Sequence, residues 1–164
     1  MTPEPVTATE TFLSSAEKIL AIEEIKRTFA ARLRCMDNKD WHIYPTLHTD
    51  DVESLTFGDF RVIGPGALTE AIKGVLDGPC PVTSVHHGHT PEIELTSATT
   101  AHGIWAMEDK LWWTNGDREE HLHGYGHYHE EYRKVSGRWL ISRRRLSRLR
   151  VDATPKFSDR PKEW

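Results

Sequence analysis

Cysteine is nearly missing from this 164-residue chain: its two thiols, Cys35 and Cys80, form neither a disulfide framework nor a metal-binding spacing. Two buried free thiols are expected. Long hydrophobic runs are missing too. No stretch approaches the ~20 apolar residues of a membrane span, and the opening MTPEPVTATETF has neither the basic nor the apolar region of a secretory signal. These absences predict a cytoplasmic protein without a membrane partner. An excess of positive charge is also lacking. The formal net charge is −4, and the basic run RRRLSRLR at 143–150 divides on a strand, Arg143 and Arg145 to one face, Arg144, Arg148 and Arg150 to the other. That is a poor phosphate track, so nucleic acid is not an expected partner. The GPG at 64–66 lacks the further glycine and the βαβ setting of a dinucleotide site. No cofactor is expected.

What is present suffices for one domain with a real core. Hydrophobic residues make up 37%, charged residues 28%, and there are six Trp. We expect an arm at 1–12, a domain at 13–152 and a Pro-rich tail at 153–164. Ser14 and Glu17 have capping-box spacing. The apolar positions Leu20, Ile25, Phe29, Leu33 and Met36 then predict one helix face, interrupted at MDNKDW. Asp40 is expected to cap a short second helix from Trp41 to Leu47. VESLTF (52–57) and DFRVI (59–63) read as a hairpin, and GPGALTEAIKGVL (64–76) as a third helix with Pro65 near its start. From residue 82 onward the chain turns to long β-branched and aromatic segments separated by turn residues. Helices followed by antiparallel strands indicate an α+β fold. A curved sheet wrapped around the first helix would make a cone with a pocket at its wide end.

Seven of the ten histidines sit in SVHHGHTPEIEL (84–95) and HLHGYGHYHEEY (121–132). Strand alternation limits what they can do. If His86 faces the cone, His87 and His89 face away; Leu122, Gly124, Gly126, Tyr128 and Tyr132 suit the helix-packing face, which puts His121, His123, His127 and His129 outside unless a bulge at 124–126 intervenes. Alternate histidines can offer imidazoles to a metal, but surface or interfacial histidines are the expected reading, and no metal site is expected.

MDNKDW, HTDDVE, GPGALTEAIK, SVHHGHTPEIEL and YRKVSGRWLISRRRL together resemble the SnoaL-like branch of the nuclear transport factor 2-like (cystatin-like) superfamily over residues 14–151. The resemblance implies a cone-shaped barrel, a curved, mainly antiparallel sheet wrapped around N-terminal helices, and a homotrimer or homodimer. It leaves the reaction open, since the superfamily includes cyclases, dehydratases, isomerases, dehydrochlorinases and proteins without catalysis. In scytalone dehydratase-like and bile-acid dehydratase-like members an Asp after the first helix meets a His of the first long strand inside the cone, and Asp37 and His86 resemble that pair. Met36 stands where the fungal dehydratase pattern has tyrosine, which argues against a shared substrate.

An Asp orienting a His fixes the imidazole tautomer and stabilises the imidazolium once the other nitrogen takes a proton. Such a base in an apolar cone suits removal of a proton beside a carbonyl or aromatic ring, followed by elimination or isomerisation. The expected function is a cofactor-independent lyase or isomerase acting on a small polycyclic or aromatic hydroxylated substrate. A non-catalytic binding or oligomerisation module is the alternative. Asp109 resembles a second acid of some bile-acid dehydratase-like members; a salt bridge to an arginine of the last strand is its competing role. Tyr44 is a candidate phenolic donor to an oxyanion. Met36, Trp105, Met107, Trp112, Tyr128 and Tyr132 are candidate substrate contacts, with core packing the competing role for the large apolar ones.

Overall fold

The computed structural model describes residues 13–57 and 60–154, apart from the side chain of Phe57. The expected arm at 1–12, most of the tail and the turn at 58–59 lie outside the described residues. Helix α1 spans Ser15–Asn38. It starts at the expected capping box: the Ser14 hydroxyl accepts the Glu17 amide (3.3 Å) while the Glu17 carboxylate accepts the Ser14 amide (2.8 Å). It stops where Lys39 turns left-handed (φ 62°) and the Asp40 amide reaches back to the Cys35 carbonyl. Asp37 thus belongs to the last turn of the helix instead of following it.

The buried face of α1 runs through Ala21, Ile25, Phe29, Leu33 and Met36. Leu20, expected there, is 62% exposed. Ala21, Ile25, Phe29 and Leu33 succeed one another at i+4, and Leu20 lies about 100° off that stripe. The second helix shrinks to a 3₁₀ turn, Tyr44–Leu47. The Asp40 main-chain carbonyl, which accepts the amides of Ile43 and Tyr44, makes the preceding turn in place of the expected side-chain cap.

Strands β1 (His48–Phe57) and β2 (Phe60–Ile63) form the hairpin, and α2 (Pro65–Leu76) follows with Pro in its first turn. Strands β3 (Thr83–Leu95), β4 (Thr100–Asn115), β5 (Arg118–Val135) and β6 (Arg138–Ala153) complete a six-stranded sheet in the order β2-β1-β6-β5-β4-β3. All pairs are antiparallel except β1 with β6. The sheet curls over α1 and α2 as the expected α+β cone. No helix among the described residues is long and apolar enough to cross a membrane. Cys35 is a buried free thiol, whereas Cys80, expected to be buried as well, is only partly so.

Alternation sorts the sheet as expected. Ala101, Trp105, Met107, Asp109, Leu111 and Trp113 of β4 and Leu122, Tyr128, Glu130 and Tyr132 of β5 are buried inside. A bulge does occur beside Gly126, but its extra residue is Leu149 on β6, so β5 stays in phase and its histidines remain outside. The same bulge turns Arg150 outward onto Asp152 (3.0 Å), away from the face of Arg144 and Arg148 where the alternation had put it. In β3, Ser84, His86 and Gly88 face inward, and a bulge around Thr90 (φ 38°) then shifts the phase so that Ile93 and Leu95 do.

The approach of α1 to β3 is set by one glycine. A Cβ on Gly88 would overlap the ring of Phe29, which stacks on Trp105 with ring centroids 3.7 Å apart. Eight residues further along α1, about 12 Å of helix, comes Asp37. Two to four residues back along β3, about 7–13 Å, come His86 and Ser84. The close packing of Phe29 on Gly88 therefore brings the end of the helix over these two side chains.

Candidate active site

β3 is an edge strand, so the amides on its outer edge need partners from elsewhere. Asp37 supplies one. Its Oδ2 accepts the His86 amide at 2.9 Å; its Oδ1 accepts the His86 ring at Nδ1 (2.6 Å) and the Ser84 hydroxyl (2.9 Å). Lys39 Nζ donates to Ser84 Oγ at 3.2 Å, extending the network. Burial works against the Asp37 charge, but the hydrogen bonds from the His86 ring and amide and from Ser84 outweigh it and hold the carboxyl below its ordinary range. A carboxylate can only accept, so Nδ1 carries the proton and Nε2 is left as the basic nitrogen.

That ring lines a cavity of about 220 Å³. Ile72, Val75 and Leu76 of α2, with Met36, Leu111, Leu122 and Leu146, make its apolar walls; Thr56, Tyr128, Asp109, Arg144 and Arg148 are its other polar lining. Arg144 is buried and donates to the Tyr44 hydroxyl at 2.7 Å, while its Nε has no protein partner. The Tyr128 hydroxyl is likewise buried without a partner, and burial raises its pKa. Two polar atoms of cavity-lining residues thus lack a protein partner while shut off from solvent, a costly arrangement for buried groups.

The expected site residues divide accordingly. Asp37 and His86 are in contact, and Met36 and Tyr128 line the cavity with His86. Asp109 lines it too, but Arg148 grips its carboxylate with two hydrogen bonds of 2.6 and 2.7 Å. The salt bridge is its observed role, in place of a free acid. Tyr44 lies behind Arg144, fully buried, and holds that guanidinium instead of lining the cavity. Trp105, Met107 and Tyr132 are core: Trp105 donates to the Tyr132 hydroxyl (3.2 Å), which donates to Glu130 (3.1 Å). Trp112 is on the outer face, edge-on to His123, because its even position on β4 opposes the buried odd ones.

Ser84, Lys39, Arg144 and Arg148 are the site residues that sequence reasoning passed over. Ser84 had a signal, being two positions from His86 and so on the same face. A second polar layer was also hidden: Arg32 of α1 pairs with Glu130 of β5 at 2.9 Å with both side chains fully buried. His48 adjoins it, donating from Nδ1 to the Tyr44 carbonyl (2.9 Å).

A helix-filled α+β cone with a carboxylate-oriented imidazole at a largely apolar, partly open cavity defines the class of protein. Residues 17–145 match the SnoaL-like domain family, and the chain belongs to it. Its fold is that of the nuclear transport factor 2-like superfamily. Similar solved structures include a protein provisionally named a scytalone dehydratase from Novosphingobium aromaticivorans (19% identity over 86% of this chain and 92% of that one, TM-score 0.75). Hexachlorocyclohexane dehydrochlorinase LinA-type3 from Novosphingobium barchaimii is similar at 18% identity, over 87% and 95% of the two chains, with TM-score 0.76. A type 2 hexachlorocyclohexane dehydrochlorinase matches at 18% identity over 92% and 100%, with TM-score 0.77.

Proposed function

We propose that the chain is a cofactor-independent lyase or isomerase in which His86 Nε2 removes a proton from a carbon acid bound in the cavity. The Asp37–His86 contact of 2.6 Å at the cavity wall carries this reading. Asp37 holds the ring and stabilises the imidazolium formed when Nε2 is protonated. The departing electron pair then expels a leaving group, which is elimination, or is reprotonated elsewhere, which is isomerisation. Arg144 and Arg148, the cationic residues of the lining, are the groups suited to receive negative charge on a carbonyl or leaving oxygen. The similar proteins named above, a dehydratase and dehydrochlorinases, are named for eliminations, which supports the same class.

The substrate is a small, largely apolar hydroxylated ring compound. Pockets for drug-sized ligands span roughly 300–1,000 Å³, so the cavity of about 220 Å³ favours one or two rings over a four-ring steroid. The homotrimer or homodimer implied by the resemblance goes with this proposal and is read by light scattering.

The test is a screen of one- and two-ring hydroxylated carbon acids in D₂O, with mass spectrometry reporting water loss or deuterium uptake. Turnover by the protein and its loss in His86→Gln, with ligand-induced thermal stabilisation retained, is the expected result. Ligands that stabilise both proteins equally while neither eliminates nor exchanges would identify a binding module.

A further inference from the structure

On the outer face of the sheet, opposite the cavity, His87 and His89 of β3 meet Glu108 of β4. Alternate strand residues share a face, and Glu108 is the register partner of His87. Nδ1 of His87 lies 3.2 Å from Oε2 of Glu108, and Nε2 of His89 lies 3.9 Å from the same oxygen. One ligand atom from each residue can be chosen so that all three fall within 4.8 Å of one another. Lys110 binds the other carboxylate oxygen, Oε1, at 3.0 Å and leaves Oε2 turned toward the imidazoles.

These separations are close to those of a metal centre. With ligand atoms about 2.0–2.2 Å from a tetrahedral zinc ion, neighbouring ligands stand about 3.3 Å apart. Movements of about 1 Å per side chain close the trio on an ion, and the two imidazoles are half exposed and free to make them. Two imidazoles and one carboxylate suit zinc, copper(II) or nickel, and suit magnesium or calcium poorly. The other outward pairs, His121 with His123 and His127 with His129, bring no carboxylate to such a cluster among the described residues.

We propose that His87, His89 and Glu108 bind a divalent transition-metal ion of the zinc class, with solvent completing its coordination. The ion sits on the outer surface and takes no part in the proton chemistry of the cavity. It ties the edge strand β3 to β4 beside the register pair His86 and Asp109, steadying the strand that carries the general base from its opposite face. This site stands on its own geometry and survives if the proposed reaction is wrong.

The experiment uses the untagged full chain, stripped of metal, titrated with Zn²⁺ by calorimetry and with Co²⁺ by visible absorption. His89→Gln and Glu108→Gln are the site variants, and a His121→Gln/His127→Gln double variant is the control; all are checked for folding by circular dichroism. One saturable Zn²⁺ per chain is expected, weakened at least tenfold in each site variant, a loss of the size that removing outer-shell partners causes elsewhere, and unchanged in the control. A rise in melting temperature with Zn²⁺ should appear in the wild type and fade in the site variants. Absence of saturable binding, or binding that survives both site variants, overturns the proposal.

Discussion

Gly124 lies beneath the Arg148 guanidinium so closely that a Cβ there would overlap both it and the Asp109 carboxylate. The two-pronged bridge between Arg148 and Asp109 exists because position 124 has no side chain. Gly124→Ala should displace Arg148, whose side chain is 32% exposed and can swing away, and strand an Asp109 side chain only 6% exposed. A loss of about 1–3 kcal/mol is expected in urea unfolding, the usual cost of an unsatisfied buried polar group. Gly126→Ala should cost more, because its Cβ would meet the Ser147 carbonyl, main chain that cannot step aside. Equal stability of Gly124→Ala and wild type would show that the bridge does not depend on this glycine.

The Arg32–Glu130 pair gives a second expectation. Both side chains are fully buried, so removing one charge strands the other. Glu130→Gln should lose about 3–5 kcal/mol, while Arg32→Met/Glu130→Gln should recover part of that loss. A double-mutant cycle by urea denaturation reads the coupling directly. Strict additivity of the single changes would contradict it.

Acid sensitivity should trace in part to His48. Burial, reinforced by Arg144 and Arg32, depresses its pKa from 6.5 to about 3. The unfolded chain then binds a proton below pH 6.5 that the folded chain refuses until about pH 3, so stability falls with falling pH across that window. The contribution between pH 7 and pH 5 is about 2 kcal/mol from the linkage relation. His48→Gln should flatten that slope in unfolding curves, whatever its effect at pH 7. Asp37, whose pKa is lowered from 3.8, adds a loss confined to the more acidic side: its stabilisation is present above 3.8 and fades as pH falls through the depressed value. In Asp37→Asn that acid limb should be missing.

Local signals carried much of this fold. The Ser14/Glu17 box, the i+4 apolar stripe and Pro65 located the helices because capping and periodicity are written in neighbouring residues. Alternation on β4 and β5 separated Trp105 from Glu108 and Tyr128 from His127 for the same reason. Long-range pairing was not legible. Nothing adjacent to Arg32 announces Glu130, 98 positions away. Likewise the extra residue at Leu149, which decides where Arg150 points, is a property of two strands together. Tyr44 and Arg144 were visible singly, but only the 2.7 Å contact between them shows that the tyrosine supports the arginine rather than a ligand. Asp37 and His86 were reached by resemblance, and Ser84 completes their network through the strand period alone.

The central claim is that Asp37 fixes His86 as an Nδ1–H imidazole with its basic nitrogen, Nε2, toward the cavity. Long-range ¹H–¹⁵N correlation spectra of the full chain at pH 8, with His86 assigned by its absence in His86→Gln, measure that tautomer directly. The account predicts a protonated Nδ1 and a bare Nε2 in the wild type, with the preference lost in Asp37→Asn. A His86 protonated at Nε2, or a tautomer indifferent to Asp37, would contradict it.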